Sequence, residues 1–136
     1  MGRILGVDYG DSRIGLALSD PLKIIASPFK TFRNEGREKC LQFLKSLIEE
    51  KEIEAIVVGL PIGMKGQDTA QTIKVREFAD SLSIFNLPIE LEDERLSSVS
   101  AQKSMIMQNI KTGHEKGQVD KVAASILLQQ YLDKSY

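Results

Sequence analysis

The fold is decided by RILGVDYGDSRIGLALS, residues 3–19. Its first part is a short apolar run that ends in an acid at Asp8, which is typical of a buried strand. Turn-forming residues follow, and beyond them every second residue is apolar up to Leu18, as in a half-buried strand. The stretch therefore predicts two strands, at residues 3–8 and 13–19, joined as a hairpin.

The next segments change from the strand period to the helix period. Residues 24–32 are expected to form a third strand, and Pro28 favours an edge position, where a missing hydrogen-bond donor is tolerated. Apolar residues from Cys40 to Ile48 recur at helical spacing, and Asn34 is the expected N-cap of that helix.

The second half of the chain predicts two more strands and three helices. Residues 55–60 are apolar throughout, as in a central strand covered on both faces. A glycine-rich loop then leads to a helix in which Asp68 and Gln71 have the spacing of a capping box. The remaining expected elements are a strand over 87–92, a helix over about 98–110 and a helix from Val119 onward.

This order of elements predicts an α/β fold in one domain that spans residues 1–136. Three strands in an antiparallel meander are followed by right-handed crossovers, which add two parallel strands. The expected sheet is mixed, has the strand order 3-2-1-4-5 and is flanked by helices.

Composition sets limits on the class of protein. The 136 residues carry a formal net charge of −1, with 42% hydrophobic and 27% charged residues, as in an ordinary globular protein. No apolar run approaches the roughly 18 residues that cross a bilayer, and the start of the chain lacks the features of a signal peptide. We therefore expect a cytoplasmic protein without membrane contact. The single cysteine, Cys40, is expected to be a small core residue.

Acidic side chains end two of the predicted parallel strands and begin the last helix. Asp8 ends the first strand, the pair Asp93 and Glu94 ends the last strand, and Asp120 lies in the first turn of the final helix. Ligands bind at the carboxyl ends of parallel strands, so these acids are candidates for one site. Strand alternation allows only one of Asp93 and Glu94 to join it, and the alternative is that both are solvated or that one pairs with Arg95. The alternative for Asp120 is an interaction with the helix dipole.

Carboxylates at this density are suited to Mg²⁺ or Mn²⁺. Gly10 would let a metal or a phosphate approach the backbone closely. Between residues 95 and 121 the chain carries five basic residues against two acidic ones, so this segment is a candidate nucleic-acid contact. We expect the polar segment Lys111–Gln118 to be the most mobile internal part of the chain. The candidate substrate-binding residues are Gly10, Arg95, Lys111, Lys116 and Lys121.

Four ordered motifs resemble the YqgF/RuvX family of Holliday-junction-resolvase-like nucleases, a branch of the ribonuclease H-like superfamily. They run from residue 3 to about residue 131, nearly the whole chain. The motifs are Gly6-Val7-Asp8-Tyr9-Gly10 with Arg13-Ile14-Gly15-Leu16-Ala17, Val58-Gly59-Leu60-Pro61, Asp93-Glu94-Arg95-Leu96-Ser97, and Val119-Asp120-Lys121-Val122-Ala123-Ala124.

The resemblance implies a ribonuclease H-like fold with Asp8, Glu94 and Asp120 as the catalytic, metal-binding acids. It also implies a substrate of structured RNA, namely the 5′ end of 16S ribosomal RNA precursor, or of branched DNA. Two metal ions would serve such a nuclease, with Asp8 bridging them and Glu94 and Asp120 each holding one. The expected oligomeric state is a monomer or a weak homodimer.

Two other classes of protein share the opening strand and its Asp-x-Gly motif. The first is a non-catalytic module that binds nucleic acid or assists ribosome assembly on the same fold. The second is a nucleotide-binding ATPase or sugar-kinase-like domain, which usually duplicates this fold, whereas one copy of the motif is found here. Metal-dependent cleavage distinguishes a nuclease from the first class, and a titration with ATP tests for the second.

Overall fold

The computed structural model describes residues 2–96 and 116–134. Within them the chain forms a five-stranded sheet whose strand order is β3-β2-β1-β4-β5, so the predicted order is confirmed. β1 pairs antiparallel with β2 and parallel with β4, and β4 pairs parallel with β5. The strands are β1 (Arg3–Tyr9), β2 (Arg13–Ser19), β3 (Ala26–Arg33), β4 (Ile53–Leu60) and β5 (Ile89–Asp93).

β3, which carries Pro28, lies at the edge of the sheet, as the missing hydrogen-bond donor of proline predicted. It begins two residues later than expected. The carboxylate of Asp20 accepts hydrogen bonds from the backbone N–H groups of Ile24 and Ile25, at 2.7 and 2.9 Å. Those amides are therefore committed to a local turn, and strand pairing starts only at Ala26.

In the described part of the chain, three helices flank the sheet: α1 (Arg37–Lys51), α2 (Ala70–Ser81) and α3 (Lys116–Lys134). Short 3₁₀ turns follow α2 at Leu82–Phe85 and follow β5 at Glu94–Leu96. The predicted helix over 98–110 and most of the segment 111–118 lie outside the described residues. No helix within 2–96 and 116–134 combines the length and apolar character needed to cross a membrane.

Both predicted helix caps were wrong. The residue before α1 is Gly36, and Asn34 lies two residues earlier, where its Oδ1 accepts a hydrogen bond from the Gly36 N–H and its Nδ2 donates to the carbonyl of Gly10. The capping box of α2 is formed by Thr69 and Thr72, one residue later than the spacing of Asp68 and Gln71 suggested. The side chain of Asp68 is used in an ion pair with Arg76.

The alternation in β1 directs its side chains to two different layers. Leu5 and Val7 join the larger apolar cluster, which α1 and α2 complete, whereas Ile4 packs in a second cluster with Ala124 and Leu128 of α3. β1 is therefore covered on both faces, with α1 and α2 on one side and α3 on the other. Asp8 follows Ile4 and Gly6 at the two-residue period, so it belongs to the α3 face.

Cys40 is 2% exposed within the larger cluster, as expected of a core residue, and burial raises the pKa of its thiol to about 11. The reactive thiolate is therefore scarce in the folded protein. At pH 8 we expect a thiol-specific disulfide reagent to label the native chain roughly a hundredfold more slowly than the urea-unfolded chain. Equal labelling rates in the two states would contradict this burial.

Candidate functional site

Asp8 occupies the α3 face near the carboxyl end of the central strand. It is 7% exposed, and its register partner on β2 is Gly15. On β4 it lies level with Gly59, because the preceding residue, Val7, is paired with Val58. Asp8 is thus flanked on both neighbouring strands by positions without a side chain, and each of these positions is filled by another part of the chain.

The position beside Asp8 on β2 is filled by the backbone of α3. A Cβ atom added at Gly15 would overlap the carbonyl group of Asp120 and would lie 2.8 Å from the backbone nitrogen of Lys121. The start of α3 therefore rests directly on β2, which requires glycine at this position. This contact brings Asp120, which is 8% exposed, next to the strand position that faces Asp8.

The position beside Asp8 on β4 is filled by the carboxylate of Glu94. A Cβ atom added at Gly59 would lie 2.7 Å from Oε1 of Glu94 and 2.8 Å from Cδ2 of Leu127 on α3. Glu94 begins the 3₁₀ turn that follows β5, so its side chain reaches back over β4. It therefore lies on the α3 face as well.

The three candidate acids thus come to one face of the sheet, over β1, β2 and β4. Their side chains are not gathered into a closed ligand shell: among residues 2–96 and 116–134, no three His, Cys, Asp or Glu side chains are grouped closely enough to hold a metal ion. The carboxylate of Asp120 is turned toward Arg13, whose Nε donates a hydrogen bond of 2.7 Å to Oδ2. This pair places one positive charge among the acids.

The register of β5 separates Asp93 from Glu94. Asp93 is paired with Leu60, a member of the larger cluster, so it lies on the α1 and α2 face. There its carboxylate binds the Arg95 side chain, with a distance of 3.0 Å between Oδ2 and Nη2, and accepts a hydrogen bond from the Arg95 backbone N–H. The hydrogen bond from the Arg95 side chain lowers the pKa of Asp93, and the same bond raises the pKa of Arg95. The alternative in which one acid pairs with Arg95 thus applies to Asp93.

A fourth acid on the α3 face, Glu92, was not singled out from the sequence. It is 3% exposed, is paired with Gly59 in the sheet and accepts hydrogen bonds from Gln130 and Lys134 on α3, at 2.6 and 2.8 Å. The strict alternation of β5 was the signal that could have placed it there. Its two partners commit it to holding the carboxyl end of α3 against the sheet.

The predicted substrate-binding residues are distributed less compactly. Gly10 begins the hairpin turn, where a Cβ atom would lie 2.6 Å from the carbonyl oxygen of Arg13, so its local role is to permit the turn. Lys121 lies in the early part of α3 above Gly15. Lys111 lies outside the described residues, and for Lys116 only its place at the start of α3 is described.

Arg13 was missed as a site residue when the sequence alone was considered. The signal was its place two residues before Gly15, which puts both residues on the same face of β2. What the pattern could not give was the partner, because Asp120 lies 107 residues further along the chain.

A protein-family model and two curated relatives match nearly the whole chain. The model of the RuvX family, described as Holliday junction resolvase, matches residues 2–134. A candidate pre-16S rRNA nuclease of Roseiflexus sp. (strain RS-1) is 42% identical over 133 residues, which are 97% of this chain and 94% of that protein. A candidate pre-16S rRNA nuclease of Dictyoglomus thermophilum is 39% identical over 134 residues, or 98% of this chain and 96% of that protein.

Solved structures share the fold at low sequence identity. RuvC of T. thermophilus, solved with a Holliday junction substrate, superposes with a TM-score of 0.57 at 12% identity, over 99% of this chain and 96% of that one. The fowlpox virus Holliday junction resolvase gives a TM-score of 0.56 at 12% identity, over 98% and 99% of the two chains. The ribonuclease H-like fold that the resemblance implied is thereby confirmed.

Proposed function

Because the chain belongs to the RuvX family of Holliday junction resolvases, we propose that it is a metal-dependent nuclease that hydrolyses phosphodiester bonds. Its proposed substrate is 16S ribosomal RNA precursor, after the names of its relatives, at the 5′ end that the family resemblance implies, or otherwise branched nucleic acid. The proposed catalytic residues are Asp8, Glu94 and Asp120.

One observation carries this proposal: Asp8, Glu94 and Asp120 come from distant parts of the chain to one face of the sheet. Gly15 and Gly59, the neighbours of Asp8 on both sides, leave space that is taken by Asp120 and Glu94. Two of these acids, Asp8 and Asp120, are buried, and nearby carboxylates repel one another, so folding alone gives little reason to bring all three to one face of the sheet. A bound cation supplies that reason.

The chemistry of the side chains fits Mg²⁺ or Mn²⁺, which take oxygen ligands from carboxylates and keep water and substrate oxygens as the others. Asp8, Glu94 and Asp120 would hold the metal, which we propose to be two ions. When bound, the metal supplies positive charge that activates water and stabilises the leaving oxygen of the phosphodiester.

The chain's own residues prepare the site in two ways. The side chain of Arg13 orients the Asp120 carboxylate through the bond at Nε and partly offsets its charge. The packing of α3 on Gly6 and Gly15 keeps Asp8 and Asp120 almost completely away from solvent. Poor solvation strengthens the attraction of both carboxylates for a cation.

Cleavage assays on two substrates test the proposal. The protein is incubated with end-labelled ribosomal RNA precursor and with a four-way DNA junction, each in Mg²⁺, in Mn²⁺ and in EDTA. We expect cleavage of at least one substrate with metal and none in EDTA. Binding without cleavage under every condition would favour the non-catalytic module instead, and saturable binding of ATP would favour the nucleotide-binding class.

The neighbouring acids Glu94 and Asp93 offer a matched pair of variants. Glu94→Gln is expected to lower the cleavage rate at least a hundredfold, because it removes a metal ligand of the proposed site. Asp93→Asn makes the same change of charge on the other face of the sheet, and its rate is expected to stay within about threefold of the wild type, since it disrupts only a surface ion pair with Arg95. Initial rates at saturating Mg²⁺ decide the matter, and a reversed order of the two variants would assign the site to Asp93.

A further inference from the structure

Two arginines stand directly opposite each other beside the acidic site. Arg13 on β2 and Arg33 on β3 are register partners, so their side chains leave the same face of the sheet. That face is the α3 face, because Arg13 bonds to Asp120 and is two residues from Gly15. Side chains in such pairs are about 5 Å apart at Cβ, so both guanidinium groups can reach the same bound anion.

The pair is electrostatically unfavourable without a ligand, because like charges directly opposite each other destabilise a sheet. Arg13 is partly compensated by the hydrogen bond from its Nε to Asp120, and its two Nη groups provide the other donors of the guanidinium group. Arg33 is exposed, and among residues 2–96 and 116–134 no carboxylate forms an ion pair with it. The local excess of positive charge therefore lies at Arg33 and at the outer end of Arg13.

The backbone that carries the two arginines is held by Asn34. Its backbone N–H donates to the carbonyl of Ser12 at 2.9 Å, and its side-chain Nδ2 donates to the carbonyl of Gly10 at 2.9 Å. These bonds tie the end of β3 to the turn between β1 and β2, next to both arginines. The backbone positions of the two arginines are thus fixed relative to each other before any ligand arrives, which reduces the ordering needed on binding.

We propose that Arg13 and Arg33 form a phosphate-binding pair that holds the nucleic-acid backbone beside the acidic site. This inference rests on the proposed function, since it assumes that the ligand of that site is a nucleic acid. The planar guanidinium group suits it, because it donates two parallel hydrogen bonds to phosphate oxygens. The three acids repel a nucleic-acid backbone, and the arginine pair on the neighbouring strands β2 and β3 attracts its phosphates.

Arg33 gives the cleaner test, because its side chain is exposed and Arg13 also supports Asp120. Binding of an end-labelled 30-nucleotide RNA and of a four-way DNA junction is measured in EDTA, so that cleavage does not interfere, over a series of salt concentrations. Arg33→Ala is expected to weaken binding about tenfold and to reduce the slope of log affinity against log salt by about one. Arg33→Lys is expected to restore the salt slope but only part of the affinity, because lysine keeps the charge and lacks the planar guanidinium group that donates two parallel hydrogen bonds.

Arg37→Ala is the matched control. Arg37 is an equally exposed arginine four residues later, but it begins α1, which packs on the other face of the sheet. Its removal is expected to leave affinity and salt slope within about twofold of the wild type. Equal losses in Arg33→Ala and Arg37→Ala, an unchanged slope in Arg33→Ala, or no binding by the wild type at low salt would each overturn the proposal. Normal binding in EDTA with no cleavage in metal would instead count against the nuclease and leave the arginine pair supported.

Discussion

Asp8→Asn is expected to lower the rate of metal-dependent cleavage by about a thousandfold, because it removes a proposed metal ligand while keeping the shape of the side chain. The metal-free variant is expected to be at least as stable as the wild type, since one of three mutually repelling carboxylates is neutralised. Saturating Mg²⁺ should raise the melting temperature of the wild type through binding to the folded state alone, and most of that rise should be lost in the variant.

Asp11→Asn is the matched control for this experiment. Asp11 lies in the turn between β1 and β2, three residues from Asp8, and its carboxylate is exposed and pairs with Lys74 at 3.4 Å. The control is expected to keep both its cleavage rate and its response to Mg²⁺. If Asp8→Asn melts at a lower temperature without metal and still cleaves like the wild type, Asp8 has a structural role and the proposed site is wrong.

Gly15→Ala is expected to cost about 3 kcal/mol of the free energy of unfolding, near the upper end of the usual cost of overpacking. The added Cβ would overlap the backbone carbonyl of Asp120, and helix backbone cannot rotate aside as a side chain can. α3 must therefore lift from β2, which also moves Asp120 away from Asp8. We expect a lower urea midpoint together with loss of Mg²⁺-dependent stabilisation.

Gly63→Ala makes the same substitution where the obstacle is mobile. Its added Cβ would meet the end of the Gln67 side chain, which is exposed and can adopt another rotamer by giving up its hydrogen bond from the Lys65 backbone N–H. The cost is expected to stay below about 1 kcal/mol. Urea unfolding of the two variants beside the wild type gives the comparison. Similar midpoints for both variants would mean that α3 does not rest on Gly15 as described.

Local patterns in the sequence were sufficient for the architecture. The alternation in β2, the proline in β3 and the apolar run in β4 predicted an antiparallel meander with an edge at β3 and a central parallel pair. These features arise from the two-residue strand period and from the missing amide of Pro28, and both act on the residues that carry them. The order of the sheet then followed from the handedness of the crossovers.

Predictions of the ends of elements failed where side chains formed hydrogen bonds that the local pattern did not predict. Asn34 has the right chemistry for an N-cap, but its Oδ1 accepts from the Gly36 N–H before the helix begins, and its Nδ2 binds Gly10, which lies 24 residues earlier and is adjacent only in the folded hairpin. The start of β3 was misplaced for a related reason, since Asp20 takes the amides of Ile24 and Ile25. A capping pattern states what a side chain can bind, and the surrounding fold decides what it does bind.

The candidate site divides in the same way. The sequence by itself determined that Asp8 and one acid of the pair Asp93 and Glu94 end parallel strands at one edge of the sheet. Only the tertiary structure decided that Asp93 belongs to the α1 and α2 face, and that Asp120 reaches β2 and meets Arg13. The strand period is set by neighbouring peptide units. The close docking of α3 depends instead on glycines that lie far from it in the chain and leave room for its backbone. Such close approach is a property of packing between elements, and no local period encodes it.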